Sequence, residues 1–110
     1  MKITYEGKDY ELGFNRNTAA AAERAGLVID KLSTSPHIHI PLLVFYAFKM
    51  NYPQMTMEQT NKIHKELKGK TKRVIALRDE FIATYKDLLS DDEDEDEDED
   101  GENFDQRSNE

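Results

Sequence analysis

Few residues in this chain have the type and spacing to do chemistry, and they lie in three places. His37 and His39 form a His-x-His pair, with His64 further on. Two imidazoles at that spacing can share a metal ion if the backbone is extended, because alternate strand side chains point the same way. A third ligand is not evident nearby, and the chain has no cysteine. The pair therefore reads as a polar loop leading into an apolar helix.

The second place is a basic stretch, Lys62, Lys65, Lys68, Lys70, Lys72, Arg73 and Arg78, around Gly69. It could contact phosphates, meet an acidic segment of the same chain, or form the charged outside of a helix pair. The third place is a run of ten carboxylates: Asp91, Asp92, Glu93, Asp94, Glu95, Asp96, Glu97, Asp98, Glu99 and Asp100. A calcium loop needs spaced ligands and a glycine at its sixth position, so this run would hold cations only diffusely. It reads as an interaction tail, or as a solubilising tail that keeps copies apart. Such a tail also competes with nucleic acid for the basic stretch.

No catalytic set joins these groups. The five glycines are isolated, so no phosphate-cradling loop is present. Glu23, Asp30, Asp79 and Glu80 fall on polar faces of the expected elements, whereas acid–base carboxylates need desolvated, distinct environments. The expectation is a protein that acts by binding, without enzymatic activity, cofactor or metal, and with neither nucleic acid nor membrane as partner.

The 110 residues leave room for one small domain. The net charge of −8 is a sum of opposites. Residues 1–90 carry 14 Lys+Arg and 10 Asp+Glu, a balance of +4, and residues 91–110 carry 1 Arg and 13 Asp+Glu, a balance of −12. Without cysteine, a disulfide scaffold is excluded. The first residues have no apolar core of a secretory signal. The longest apolar run, at 38–48, is about half of the roughly 20 residues a spanning helix needs. A body this small is marginal alone, so association with itself or a partner is expected.

The elements that position these groups follow from periodicity. Ile3 and Tyr5, then Tyr10, Leu12 and Phe14, alternate with polar residues around Gly7-Lys8-Asp9, the pattern of a β-hairpin. A lone hairpin is unstable in water, so it must lie on helices or on another copy. Asn15, Asn17 and Thr18 are N-cap candidates for an alanine-rich helix that Gly26 ends. Residues 27–32 form a helical turn or a strand, and residues 33–36 a loop. Residues 40–52 are apolar nearly all round, with Pro41 suited to a first turn. That pattern means a buried helix or one shared with a partner. Thr56 and Gln59 fit a capping box for a thin-striped helix reaching Leu67. A last helix covers 71–89, with Val74, Leu77 or Arg78, Phe81, Tyr85 and Leu88 on one face. From residue 90 nothing apolar offsets the entropy of ordering. The expected fold is α+β: a body over 1–89 with an N-terminal β-hairpin packed on about four α-helices, and a disordered acidic tail over 90–110.

The opening Met1-Lys2-Ile3-Thr4-Tyr5-Glu6-Gly7-Lys8-Asp9-Tyr10-Glu11-Leu12 is followed by Phe14-Asn15-Arg16-Asn17-Thr18 and Glu23-Arg24-Ala25-Gly26-Leu27-Val28-Ile29-Asp30. Pro41-Leu42-Leu43 then enters an aromatic-rich helix, and an acidic C-terminus closes the layout. Across most of residues 1–100 this resembles the small tail assembly chaperones of long-tailed (siphovirus-type) bacteriophages and related prophages. The resemblance implies a non-enzymatic late protein in the cytoplasm of the infected bacterial host, absent from the finished virion. It would coat the tape measure protein, keep it soluble and help recruit tail tube subunits. Leu42, Leu43, Phe45, Tyr46, Phe48 and Tyr52 are the candidate partner-binding residues, since aromatic anchors favour helix-in-groove contacts. The same segment could instead be the core. The rival expectation is an acidic-tailed binding module of another class, such as a small RNA polymerase-associated transcription subunit.

Overall fold

The computed structural model describes residues 1–89; the expectation of a disordered tail over 90–110 lies outside them. An antiparallel hairpin of β1 (Lys2–Tyr5) and β2 (Lys8–Glu11) is followed by α1 (Arg16–Arg24), a 3-10 turn (Ile29–Lys31), α2 (Pro36–Lys49), α3 (Met57–Glu66), α4 (Lys70–Ala83) and a single-turn α5 (Lys86–Leu89). The helices α1 to α4 pack together, with α2 at the centre against α1, α3, α4 and the 3-10 turn.

The hairpin pairs Ile3 with Tyr10 and Tyr5 with Lys8. Its loop is therefore Glu6-Gly7, both at positive φ (50° and 79°), and not the expected Gly7-Lys8-Asp9. Two successive left-handed residues match the right-handed strand twist, which places Lys8 and Asp9 inside β2. The hairpin lies on α2: the Tyr10 ring meets Phe48 and Tyr52 edge-on at 5.5 and 5.2 Å. The Tyr52 hydroxyl accepts the Glu11 amide (2.9 Å) and Asn51 Nδ2 donates to the Glu11 carbonyl (3.0 Å). At the other end the Met1 ammonium donates to the Leu12 carbonyl (2.6 Å) and the Glu80 carboxylate (2.9 Å).

Caps set the helix limits. Asn15 and Thr18 form a reciprocal capping box at the start of α1. At its end the Gly26 amide reaches the Glu23 carbonyl and the Leu27 amide the Ala22 carbonyl, with Gly26 at φ 110°. These two bonds satisfy carbonyls that a helix end leaves orphaned. Thr56 and Gln59 make the expected box at α3. The start of α2 differs from the expected 40–52: the helix begins at Pro36, and Pro41 sits inside it. Pro36 supplies the preset φ of a first residue. The bond that Pro41 cannot make belongs to the carbonyl of His37, an exposed residue where water can replace the missing donor. The last helix also differs. It breaks at Thr84-Tyr85, so Leu88 falls on a separate turn and is exposed.

Leu43, Val44, Ala47 and Phe48 of α2 meet Leu77 and Phe81 of α4, Ala19 and Ala22 of α1, and Leu12 after β2 in one core. Phe14 stacks edge-on against Phe81 at 5.1 Å. The helix α3 is less peripheral than its thin stripe suggests, burying Thr60, Ile63 and His64. No helix among the described residues is long and apolar enough to cross a membrane.

Candidate partner-binding surface

The six candidate residues of the aromatic segment divide. Leu43 and Phe48 are 0% and 1% exposed, which makes them core residues in this fold and removes them from any partner-facing surface. Leu42, Phe45, Tyr46 and Tyr52 are half-buried. Phe45 and Tyr46 meet edge-on at 4.9 Å, and the Lys49 ammonium lies 5.3 Å from the Phe45 ring centre. Ile38, Leu42 and Phe45 recur at helical spacing, so they share one face of α2, and Ile38 is 62% exposed.

A second apolar surface lies elsewhere. The 3-10 turn, α2 and α4 enclose an open groove of about 800 Å³ whose apolar lining includes Ile29, Leu32, Ile40, Val74, Ile75 and Ile82. Ile75 and Ile82 are 44% and 42% exposed. Asp30 and Ser33 lie along the groove on one side, and Lys70, Thr71 and Arg78 on the other. Through Ile29, Asp30 and Ile82 it continues into a smaller depression of about 500 Å³ beside Val28 and Tyr85. Sequence reading missed this surface because α4 carries two apolar stripes. Leu77 and Phe81 take the core, while Val74 and Ile75, with Ile82 seven residues after Ile75, form a second row that lines the groove. That second row was the available signal.

Two basic side chains turn out to be structural. Arg73 is only 4% exposed. Its guanidinium donates to the carbonyls of His64 (2.9 Å), Leu67 (2.9 Å) and Lys68 (3.1 Å), and its Nε donates to His64 Nδ1 (3.0 Å). One rigid fork thus satisfies the carbonyls at the end of α3 and ties α4 to it. Burial lowers the Arg73 pKa from its ordinary value. Burial, reinforced by the Arg73 and Lys70 charges, pushes the His64 imidazole down to about 4. His64 is therefore neutral at pH 7, with Nδ1 as acceptor, and it also lines the groove.

His39 is likewise structural. It is buried, and its Nδ1 accepts the Val28 amide at 3.1 Å, which holds the 3-10 segment against α2. The loop expected at 37–39 is helix, and residues two apart on a helix point to opposite sides. His37 is accordingly exposed while His39 is buried, so the His-x-His pair does not converge. Among the described residues no group of three or more His, Asp or Glu side chains could hold a metal ion. Of the body carboxylates, Glu23, Asp30 and Asp79 are exposed, Asp79 pairs with Arg78, and Glu80 takes the Met1 ammonium.

The rest of the basic stretch stays outside. Lys62, Lys65, Lys68, Lys70 and Lys72 are all exposed around Gly69. None of these five makes an ion pair among the described residues. The acidic run Asp91 to Asp100 lies outside the described residues.

Residues 1–103 match the family described as Domain of unknown function (DUF5055), and the chain belongs to that family. No curated protein and no solved structure matches the chain.

Proposed function

We propose that this protein is a tail assembly chaperone of long-tailed bacteriophages. It binds the tape measure protein, keeps it soluble in the host cytoplasm and helps recruit tail tube subunits. It acts by binding, not by catalysis. The likeness of its opening segments and acidic C-terminus to such chaperones motivates the reading. The observation that carries it is the apolar groove along α4, with Ile75 and Ile82 left partly exposed on its wall. An apolar groove on a small domain offers a partner a concave surface to cover. A groove between helices suits the apolar face of a partner helix, and a tape measure protein is a long chain with apolar helical stretches. The half-buried candidates Leu42, Phe45 and Tyr46 of α2, with Tyr52 just beyond it, offer a second contact.

Co-expression with the neighbouring tail proteins tests the reading. The wild type should co-purify with the tape measure protein. Ile75→Asp and Ile82→Asp should retain the helical circular dichroism yet lose at least about tenfold in recovery, the result of removing about 1.4 kcal/mol of contact. Full recovery by both folded variants would remove the groove from the mechanism. Co-purification with RNA polymerase and not with the tape measure protein would replace the chaperone reading with that of a transcription subunit.

A further inference from the structure

The α3–α4 corner is the most concentrated unpaired charge on the described body. Within eleven residues it presents Lys62, Lys65, Lys68, Lys70 and Lys72, exposed and without ion pairs among the described residues. The backbone adds to the same sign. The helix α4 starts at Gly69 with no side-chain cap and no acidic residue in its first turn. Its first amides and its dipole therefore point positive charge at the corner. Like charges this close repel one another, so the arrangement gains by holding an anion.

The chain carries that anion itself. Ten successive carboxylates begin at Asp91, two residues beyond the end of α5 at Leu89. We infer that the last six residues of this run, Glu95 to Asp100, dock on the lysines of its own α3–α4 corner.

Length permits it. The fourteen residues of α4 span about 21 Å, and ten extended residues reach about 33 Å. A run leaving α5 can return along α4 as far as Gly69 with its last residues. Distance selects the distal part: the run departs from the C-terminal end of α4, while Lys72, Lys70 and Lys68 lie at its far end. Asp91 to Asp94 serve as the spacer. Tethering makes the contact intramolecular, with an effective concentration of about millimolar, so individually weak exposed pairs suffice. Lys70 and Thr71 also line the apolar groove. A run held at the corner lies beside the mouth of that groove, and an acidic partner must displace it.

Zero-length carbodiimide cross-linking of the full chain, read by peptide mass spectrometry, tests this. At about 10 mM salt the screening length is about 30 Å, and at 1 M about 3 Å. At low salt, Glu95 to Asp100 should link to Lys62, Lys65, Lys68, Lys70 and Lys72 at least about fivefold more than to Lys2, Lys8, Lys31 and Lys49, and 1 M salt should abolish the preference. Lys86 adjoins the run in sequence and is left out of the comparison. A full-length variant with residues 95–100 changed to Asn and Gln should raise acetylation of the corner lysines at low salt and leave Lys2 and Lys8 unchanged. Even cross-linking over all the lysines would overturn the inference. So would links found only between chains when isotopically heavy and light protein are mixed, or corner lysines equally reactive in both proteins. None of these outcomes depends on tape measure binding, so the docking and the chaperone reading fail separately.

Discussion

Lowering the pH should destabilise the body through His64 before most body carboxylates protonate. The imidazole is held at about 4 in the fold, against an ordinary 6.5. The causes are burial and the nearby Arg73 and Lys70 charges. Because the folded value is depressed, the unfolded chain takes up the proton first. The neutral imidazole is therefore fully compatible with folding above pH 6.5, and stability is lost as pH falls from there through 4. Integrating over that window gives a loss of about 2 kcal/mol at pH 5 and about 3 kcal/mol once pH is below 4. Against the 5–15 kcal/mol typical of a domain, a loss of about 2 kcal/mol is large.

Urea unfolding followed by far-ultraviolet circular dichroism at pH 7.5, 6 and 5 measures it. Carboxylates in the body and the C-terminal run also titrate near the lower end, so the comparison is with His64→Gln. That variant keeps an acceptor for Arg73 Nε but has no proton to gain, and every other group is shared. The wild type should lose about 2 kcal/mol more than His64→Gln between pH 7.5 and 5. Equal losses would refute a neutral, buried His64 accepting from Arg73. So would a histidine ring titration by NMR that places His64 near its ordinary value.

The other predictions concern packing and caps. Arg73→Met should cost about 2–4 kcal/mol in urea unfolding, since three carbonyls and one imidazole lose charged donors, less what the fold regains by no longer burying a guanidinium. Phe48→Ala should cost about 3–5 kcal/mol and leave little folded protein at 37 °C, whereas half-buried Phe45→Ala should cost about 1 kcal/mol; similar losses would mean that the two rings do not differ in burial. Thr56→Ala should cost about 1 kcal/mol by removing the acceptor for the Gln59 amide, a loss visible as a lower thermal midpoint.

Features that depend on neighbours in sequence were legible, and those that depend on distant partners were not. The Thr56–Gln59 box, the Asn15–Thr18 cap and the Gly26 stop are built within a few residues, so the side chains announce them. The hairpin was legible too, but its loop was placed late. Lys8 and Asp9 look like turn residues, and nothing in the sequence shows that Glu6 takes a positive φ. The start of α2 was missed because Pro41 looks like a first-turn proline. Only the exposed position of His37 shows that its missing bond is tolerated inside the helix. Arg73 read as one cation in a basic stretch, since its burial is set by three carbonyls at the end of another helix. The groove was missed for the same reason. Val74, Ile75 and Ile82 do not reveal which of two stripes the core takes until α2 is in place.

The two roles proposed for the acidic run, repulsion between copies and contact within one copy, look opposed but are compatible. Neutralising the lysine corner from within moves charge without removing any. A chain with its run docked still carries −8, so free copies still repel at a distance. What docking changes is local. It replaces a positive corner beside an apolar groove with a region close to neutral, and mutual repulsion among five lysines no longer opposes the packing of α3 on α4. A partner segment rich in carboxylates would compete for the corner, while a purely apolar one would meet the groove without displacing the run. Binding to acidic helical segments should accordingly weaken with salt less steeply in the full chain than in the variant neutralised at 95–100. In the full chain, salt releases the competitor as well as the partner. Identical salt slopes for the two proteins would show that the run and the partner do not share the corner.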